Sequence, residues 1–268
     1  MNLLYCGDSN IYDGLIISLL SIIKYTDEQL NVFILTMKYK DYKPLNNNHI
    51  KVLNKIVKEV NKDSSVKLID ITDIVNNCLP IANIDTRFTP YCMLRLYADQ
   101  IKEIPDKILY LDNDIVAFKD ITPLYNTDIT KYELTGVLDY WGKHFYQNRI
   151  IKKNYLNSGV LLLNMKLIRE SKLFEKCRIL CRDKKMLLPD QHALNYLANS
   201  KKTLPRIYNE QAKLTKKTVI RHFTTTFKFF PKFHTQTIKP WNIEELHNTL
   251  KVYELDDILE KYKKIRND

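Results

Sequence analysis

Apolar positions fall along this chain in short continuous runs separated by longer stretches in which they recur at helical spacing. The run Leu3 to Cys6 closes on the polar turn Gly7-Asp8-Ser9-Asn10, and Ile11 to Tyr25 then repeats apolar residues with helical period, which predicts a strand, a turn and a helix. Val32 to Thr36 predicts a second strand, Asn48 to Asn61 a charged helix, and Val66 to Asp70 a third strand. A helix carrying Tyr91 to Gln100 leads into a strand over Lys107 to Leu111, and further strands are expected at Leu134 to Leu138, Val160 to Leu163 and Val219 to His222. Strands alternating with helices predict an α/β fold around a mostly parallel sheet. From Asn242 to Arg266 the pattern turns to two amphipathic helices that pack on the body or lie on a surface. No repeat, low-complexity tract or linker interrupts the chain, so the expected division is one main domain over 1–241 and a helical C-terminal extension over 242–268 packed on it.

Composition narrows the class. The 268 residues are 45% apolar and 27% charged, with only five glycines and nine prolines, which excludes disordered and fibrous chains. Lysine and arginine outnumber the acids by 42 to 31, a net charge of +11. Such a surplus suits an anionic partner, whether nucleic acid, an acidic membrane face or a phosphorylated small molecule, and equally suits simple solubility. The basic residues are spread, and neither an aromatic-studded basic sheet nor a recognition helix stands out, so nucleic acid is not the expected partner. Five cysteines without a short-range framework read as free thiols in a reducing compartment. The N-terminus lacks a basic region followed by an apolar one, and no window approaches a spanning helix, so the expected location is cytoplasmic, with peripheral contact at the inner face of the membrane as an extension of that expectation.

The densest chemistry is KILYLDNDIVAFKD, where Asp112 and Asp114 follow the apolar run Ile108 to Leu111. Acids at the carboxyl end of a strand in an open α/β sheet stand where ligands bind, and two carboxylates one residue apart suit a hard divalent cation such as Mn²⁺ or Mg²⁺. A turn cap plus a solvated acid would give the same tripeptide. Two chemistries use such a pair. In a haloacid-dehalogenase-like phosphohydrolase Asp112 would be the nucleophile, but that motif belongs after the first strand and here at least three strands precede it. Alternatively the pair holds a metal that bridges the diphosphate of a nucleotide-sugar.

The second option fits an ordered set of segments: NLLYCGDSN, Arg95 in the helix before the metal strand, KILYLDNDIV followed by DITPLY, then NYLNSGVLLLNM, LLPDQHALN, VIRHF and KPW. Together these resemble glycosyltransferase family 8, the retaining enzymes of GT-A fold that include bacterial lipopolysaccharide galactosyl- and glucosyltransferases and, more distantly, glycogenin. The resemblance implies a Rossmann-like domain that moves a hexose, galactose or glucose, from a UDP-sugar to a glycan or glycolipid hydroxyl with the help of Mn²⁺ or Mg²⁺. It implies that Asp112, Asp114 and His222 ligate the metal, and that Asp8 and Asn10 contact the uridine. Arg95 would reach the donor sugar or its phosphates, while Asn113, between the two acids, either faces the ribose or only suits the turn. Asp139 and Asp190 would bind sugar hydroxyls, although Asp190 also suits a helix start. Asn157 and Gln191 would line the sugar pocket, with Gln191 nearest the anomeric carbon. An amide is a poor nucleophile, which favours attack from the face that the nucleotide leaves.

The chain departs from the family pattern in two places. Ile11 stands where an aromatic residue commonly meets the uracil, with Tyr12 one place later. After His222 the text runs HFTTTFKFFPKFHTQTIKPW, longer and without the usual glycine, so the phosphate lysine is Lys239 by its KPW context or Lys228 by its distance from His222. The aromatic and basic stretch Phe227 to Phe233 suits an acceptor loop or a membrane-facing patch, or folds onto the core.

Overall fold

The computed structural model describes residues 1–85, 90–140, 154–228, 230, 232 and 234–267. Its first half runs β1 (Asn2–Cys6), α1 (Tyr12–Ile23), β2 (Asn31–Thr36), α2 (Asn47–Lys58), β3 (Ser65–Asp70), α3 (Thr72–Asn76), β4 (Lys107–Leu111), β5 (Ile115–Ala117), α4 (Thr122–Tyr125) and β6 (Leu134–Leu138). The second half adds β7 (Leu156–Asn164), α5 (Met165–Glu170), α6 (Leu173–Asp183), α7 (Pro189–Leu197), β8 (Lys201–Leu204), β9 (Ile220–His222), β10 (Thr226–Lys228), β11 (His234–Gln236), α8 (Ile243–Asn248) and α9 (Asp256–Asn267).

Seven strands form one sheet in the order β3-β2-β1-β4-β7-β6-β8. β7 alone runs against its neighbours: it pairs antiparallel with both β4 and β6, while the other pairings are parallel. The expectation of an α/β fold with a mixed, mostly parallel sheet is met. Alternation along the strands feeds two cores. Leu3, Tyr5, Leu109 and Leu111 pack toward α1, α2 and α9, whereas Leu4, Cys6, Ile108 and Tyr110 pack toward the segment 91–104 and α6. Burying an aliphatic side chain contributes about 1.5–3 kcal/mol, so a strand such as β4 is anchored firmly enough to carry charged residues at its end.

The expected elements are found with shifts of a few residues at their ends, and three differences bear on the site. The segment before β4 winds as a 3-10 helix, Pro90–Gln100, and the Arg95 side chain takes one of its carbonyls, that of Cys92. The strand ending at His222 is not part of the main sheet. It pairs antiparallel with β5, a three-residue strand directly after Asp114, with Ile115 opposite His222. Finally, β10 and β11 form a hairpin in the aromatic stretch after His222, where Phe230 is 88% exposed. The side chains of Phe227 and Lys228 lie outside the described residues, as do residues 229, 231 and 233.

The C-terminal helices are tied to the body by Leu246, Leu255, Ile258 and Leu259 in the core around α1. Two ion pairs add to this, Lys24 with Asp257 at 2.7 Å and Arg266 with Asp13 at 2.9 Å. All five cysteines are free. No helix among the described residues is long and apolar enough to cross a membrane.

Candidate active site at the carboxyl ends of β1 and β4 and the amino end of β7

Three elements converge on the Asp112-Asn113-Asp114 turn. Gly14, in the first turn of α1, has no Cβ, and a Cβ there would overlap the carbonyl oxygen of Asn113 and lie 2.9 Å from Cζ3 of Trp241. The missing side chain thus admits both the acidic turn and the Lys-Pro-Trp segment, which brings Lys239 to the site. β5 and β9 then clamp the turn from the other side, with the amide of Phe223 donating to the carbonyl of Asp114 at 2.9 Å.

Donor atoms of Asp112, Asp114 and His222 all lie within 4.8 Å of one another. His222 Nε2 is 3.1 Å from Asp114 Oδ1 and 3.6 Å from Asp112 Oδ2. Asp114 Oδ1 is buried and, among the described residues, accepts no hydrogen bond, an arrangement that costs free energy unless a cation meets it. Two carboxylates and an imidazole are also the donor types that Mn²⁺ accepts, so the residues present fit a divalent ion. The Lys239 ammonium sits on Asp114 Oδ2. Burial opposes the charge on Asp114, but Lys239 and His222 outweigh it and hold the carboxyl well below the ordinary range. Gly159 faces the trio from β7, where a Cβ would run into the His222 ring and lie 2.8 Å from Asp112 Oδ2.

Arg95 is 2% exposed and spends its guanidinium on the protein: Nη1 on the Ser158 carbonyl, Nε on that of Cys92, and Nη2 on Asp112 Oδ1 at 3.1 Å and Asp190 Oδ2 at 3.3 Å. The resemblance places Arg95 at the donor; in the structure it ties two acids together from behind. Burial raises the Asp190 carboxyl above its usual value against the pull of Arg95.

A second polar group lies one strand over. Asp139 Oδ2 accepts from the amides of Asn157 at 2.9 Å and Gln191 at 3.1 Å. Asn157 Oδ1 accepts from Gly159 N at 3.0 Å and Asn209 Nδ2 at 2.9 Å. Gln191 Oε1 accepts from the Ser158 amide at 2.9 Å and its hydroxyl at 3.3 Å. Both amides are therefore fixed in orientation. Asp8 caps the turn after β1, accepting from Asn10 N at 3.1 Å and Asn10 Nδ2 at 2.8 Å, and burial raises its carboxyl. Ile11 folds against Gly7. Tyr12 is turned toward His49, ring centroids 4.4 Å apart, and toward Arg266.

The structure thus brings together Asp112, Asp114, His222, Lys239, Arg95, Asp190, Gln191, Asp139 and Asn157, and sets Asp8 with Asn10 at the end of neighbouring β1. Ser158, Tyr110, Gly159 and Asn209 belong to the same network and were missed. Ser158 and Gly159 stand inside the quoted NSG, and Tyr110 lies two positions before Asp112 on the same strand face.

The sequence model of glycosyl transferase family 8 matches residues 2–245. A putative glycosyltransferase of Haemophilus influenzae is 28% identical over 192 residues, which are 66% of this chain and 52% of that protein. A lipopolysaccharide 1,2-glucosyltransferase of Escherichia coli K12 is 26% identical over 95% of this chain and 77% of its own length. The chain thus spans about half of the first relative and about three quarters of the second. Among solved structures, a galactosyltransferase, LgtC, in complex with donor and acceptor sugar analogs superposes with a TM-score of 0.71 at 17% identity, covering 98% of this chain and 96% of that one. The glycosyltransferase GlyE of Streptococcus pneumoniae gives 0.63 at 17% identity, over 98% of this chain and 64% of that one.

Proposed function

The chain belongs to glycosyl transferase family 8, and from that premise we propose that it is a retaining hexosyltransferase. It moves galactose or glucose from a UDP-sugar to a hydroxyl of a glycan or glycolipid, acts with Mn²⁺ or Mg²⁺, and works in the cytoplasm against the inner face of the membrane. The observation that carries this reading is the cluster of half-buried Asp112 with buried Asp114 and His222 at one sheet end, with Asp114 Oδ1 accepting no hydrogen bond from the described residues. The name of the Escherichia coli relative supports a lipopolysaccharide-type acceptor.

Asp112 Oδ2, Asp114 and His222 Nε2 are the groups that would hold the metal, which when bound would supply Lewis-acid stabilisation of the leaving diphosphate. Lys239, whose ammonium sits on Asp114, neutralises phosphate charge as it develops. Asp8 and Asn10, locked to each other, orient the uridine. Asp139, held by two amides, and Asp190, held by Arg95, take sugar hydroxyls. Gln191 lies by the anomeric carbon with its carbonyl oxygen already accepting from Ser158, which weakens it as a nucleophile. Attack from the leaving face therefore fits better than a covalent intermediate, with the departing diphosphate accepting the acceptor proton. The phosphohydrolase alternative loses ground for a related reason, since Asp112 Oδ1 accepts from both Arg95 and Tyr110.

The test is incubation with Mn²⁺ and a panel of UDP-sugars while UDP release is followed. Release from one hexose donor, and thermal stabilisation by UDP with Mn²⁺, is expected. Release from none, with no stabilisation, overturns the reading.

A further inference from the structure

Alternation along β4 sends Tyr110 and Asp112 to the same face, toward the 3-10 helix that carries Arg95. The Tyr110 hydroxyl donates to Asp112 Oδ1 at 2.6 Å, and Arg95 Nη2 donates to that same oxygen at 3.1 Å. The two donors are themselves stacked, with the guanidinium carbon 3.7 Å from the Tyr110 ring centroid, a cation–π contact that is strong when desolvated. Asp112 is the least buried member of the trio, with its side chain 27% exposed against 4% and 8% for His222 and Asp114. Unlike its two partners, it is not locked in place by packing alone. Something must choose which of its oxygens faces the metal position.

We infer that Tyr110, braced by Arg95, is a positioning residue that occupies Asp112 Oδ1 and so presents Oδ2 alone to the cation. The consequence is one-oxygen ligation by Asp112, with its carboxylate plane fixed before the ion arrives. The inference rests on the metal reading of the trio and names the groups that orient it. Partners of this kind, acting behind a metal ligand, typically contribute about 10–100-fold in metal affinity. Because Arg95 would remain, removal of the hydroxyl alone should lie at the lower end.

The test is Tyr110→Phe, with Mn²⁺ binding in the presence of UDP titrated by electron paramagnetic resonance of the free ion. Tyr5→Phe is the comparison, because Tyr5 is an equally buried strand tyrosine whose hydroxyl bonds Ser18 at 2.8 Å, away from the trio. The expected result is Mn²⁺ affinity about tenfold weaker in Tyr110→Phe and unchanged in Tyr5→Phe. The spectrum of the bound ion should also be altered only in the former, as the freed carboxylate rotates toward two-oxygen ligation. If the wild-type protein binds Mn²⁺ and Tyr110→Phe matches it in affinity and spectrum, the positioning role is overturned while the metal site stands. If the wild-type protein binds no Mn²⁺, both are overturned.

Discussion

Gly159→Ala tests the site geometry with one carbon atom. The new Cβ would overlap Cε1 of His222 and stand 2.7 Å from Nδ1 and 2.8 Å from Asp112 Oδ2. β7 cannot yield, because the Gly159 carbonyl accepts from the Asp112 amide at 2.8 Å and the neighbouring residues are in register with β4. His222 is held just as tightly from behind, its amide donating to the Glu210 carbonyl at 3.0 Å and its strand paired with β5. Relief therefore has to come from the imidazole ring, which must retreat by about 1 Å. Overpacking of this kind costs about 1–3 kcal/mol, a fall in melting temperature of about 2–4 °C for each kcal/mol in a chain somewhat smaller than this one. Metal–ligand distances tolerate only about 0.2 Å, and a misplacement of 1 Å costs about 100-fold in rate. The expected outcome is a folded protein that has lost the extra thermal shift given by UDP with Mn²⁺ and about 99% of its UDP release. Gly136→Ala in β6 is the matched control, since its Cβ would lie 2.8 Å from Leu161 Cδ2 and touches none of the trio; it should lose stability and keep the metal-dependent shift. A Gly159→Ala protein that retains the wild-type Mn²⁺ response would refute the packing argument and, with it, His222 as a ligand.

Lys239→Ala removes the cation from Asp114 and, on the proposed reading, from the donor phosphates, so UDP affinity measured calorimetrically with saturating Mn²⁺ should fall about tenfold; an unchanged value assigns the phosphate role elsewhere. Asp99→Ala should destabilise the fold by about 3–5 kcal/mol in urea titrations, because Arg178, 6% exposed, would keep its charge without the carboxylate that both its terminal nitrogens now face. His49 accepts the Asn46 amide at Nδ1 in the cap of α2, and burial together with Arg266 lowers its pKa. A base whose folded pKa is depressed leaves stability intact above the unfolded value near 6.5 and loses it as pH falls toward the folded value. The urea midpoint of the wild-type protein should therefore drop between pH 7.5 and 5.5 by more than that of His49→Gln, and equal drops would remove His49 from the account.

The parallel half of the sheet was legible because each strand there is an apolar run closed by a polar turn, as Leu3 to Cys6 and Lys107 to Leu111 show. β8 was not, since Lys201-Lys202-Thr203-Leu204 is an edge strand whose lysines read as surface. The helix Leu173–Asp183 carries its period openly in Leu173, Phe174, Cys177 and Cys181, and is missing from the expectations despite it. At the site, the ordered motifs pointed to residues that the fold does gather. The sequence could not show how each is engaged. Arg95 in a helix before the metal strand looks like a cation free for a phosphate; only the register of β4 against β7, which delivers the Ser158 carbonyl and Asp112 to the same guanidinium, shows it to be internal. The strand ending at His222 was expected, but its partner β5 escaped notice because a three-residue strand carries no period, and the pairing of the two sets His222 opposite Ile115 and hence beside Asp114.

The charge of the chain and the charge of the site have opposite signs, and this bears on how an anionic donor is received. The protein carries +11 overall, but four carboxyl groups crowd the site: Asp112, Asp190 and Asp139 are joined through Arg95, Ser158 and Gln191, and Asp114 stands beside them across His222, while among the described residues the permanent cations bonded to these acids are Arg95 and Lys239. Arg95 faces inward and is consumed by the acids it holds. Among the described residues, a diphosphate approaching the end of β4 would thus meet an acidic surface softened by Lys239 alone, and like charges at close range in a partly buried site repel by several kcal/mol. The long-range field of the remaining lysines raises the local concentration of anions without curing that repulsion. A divalent cation on Asp112, Asp114 and His222 reverses the local sign, so that binding of the nucleotide should be strongly conditional on the metal. UDP affinity measured with and without Mn²⁺ reads this directly, and equal affinities would show that Lys239 and the outer lysines suffice.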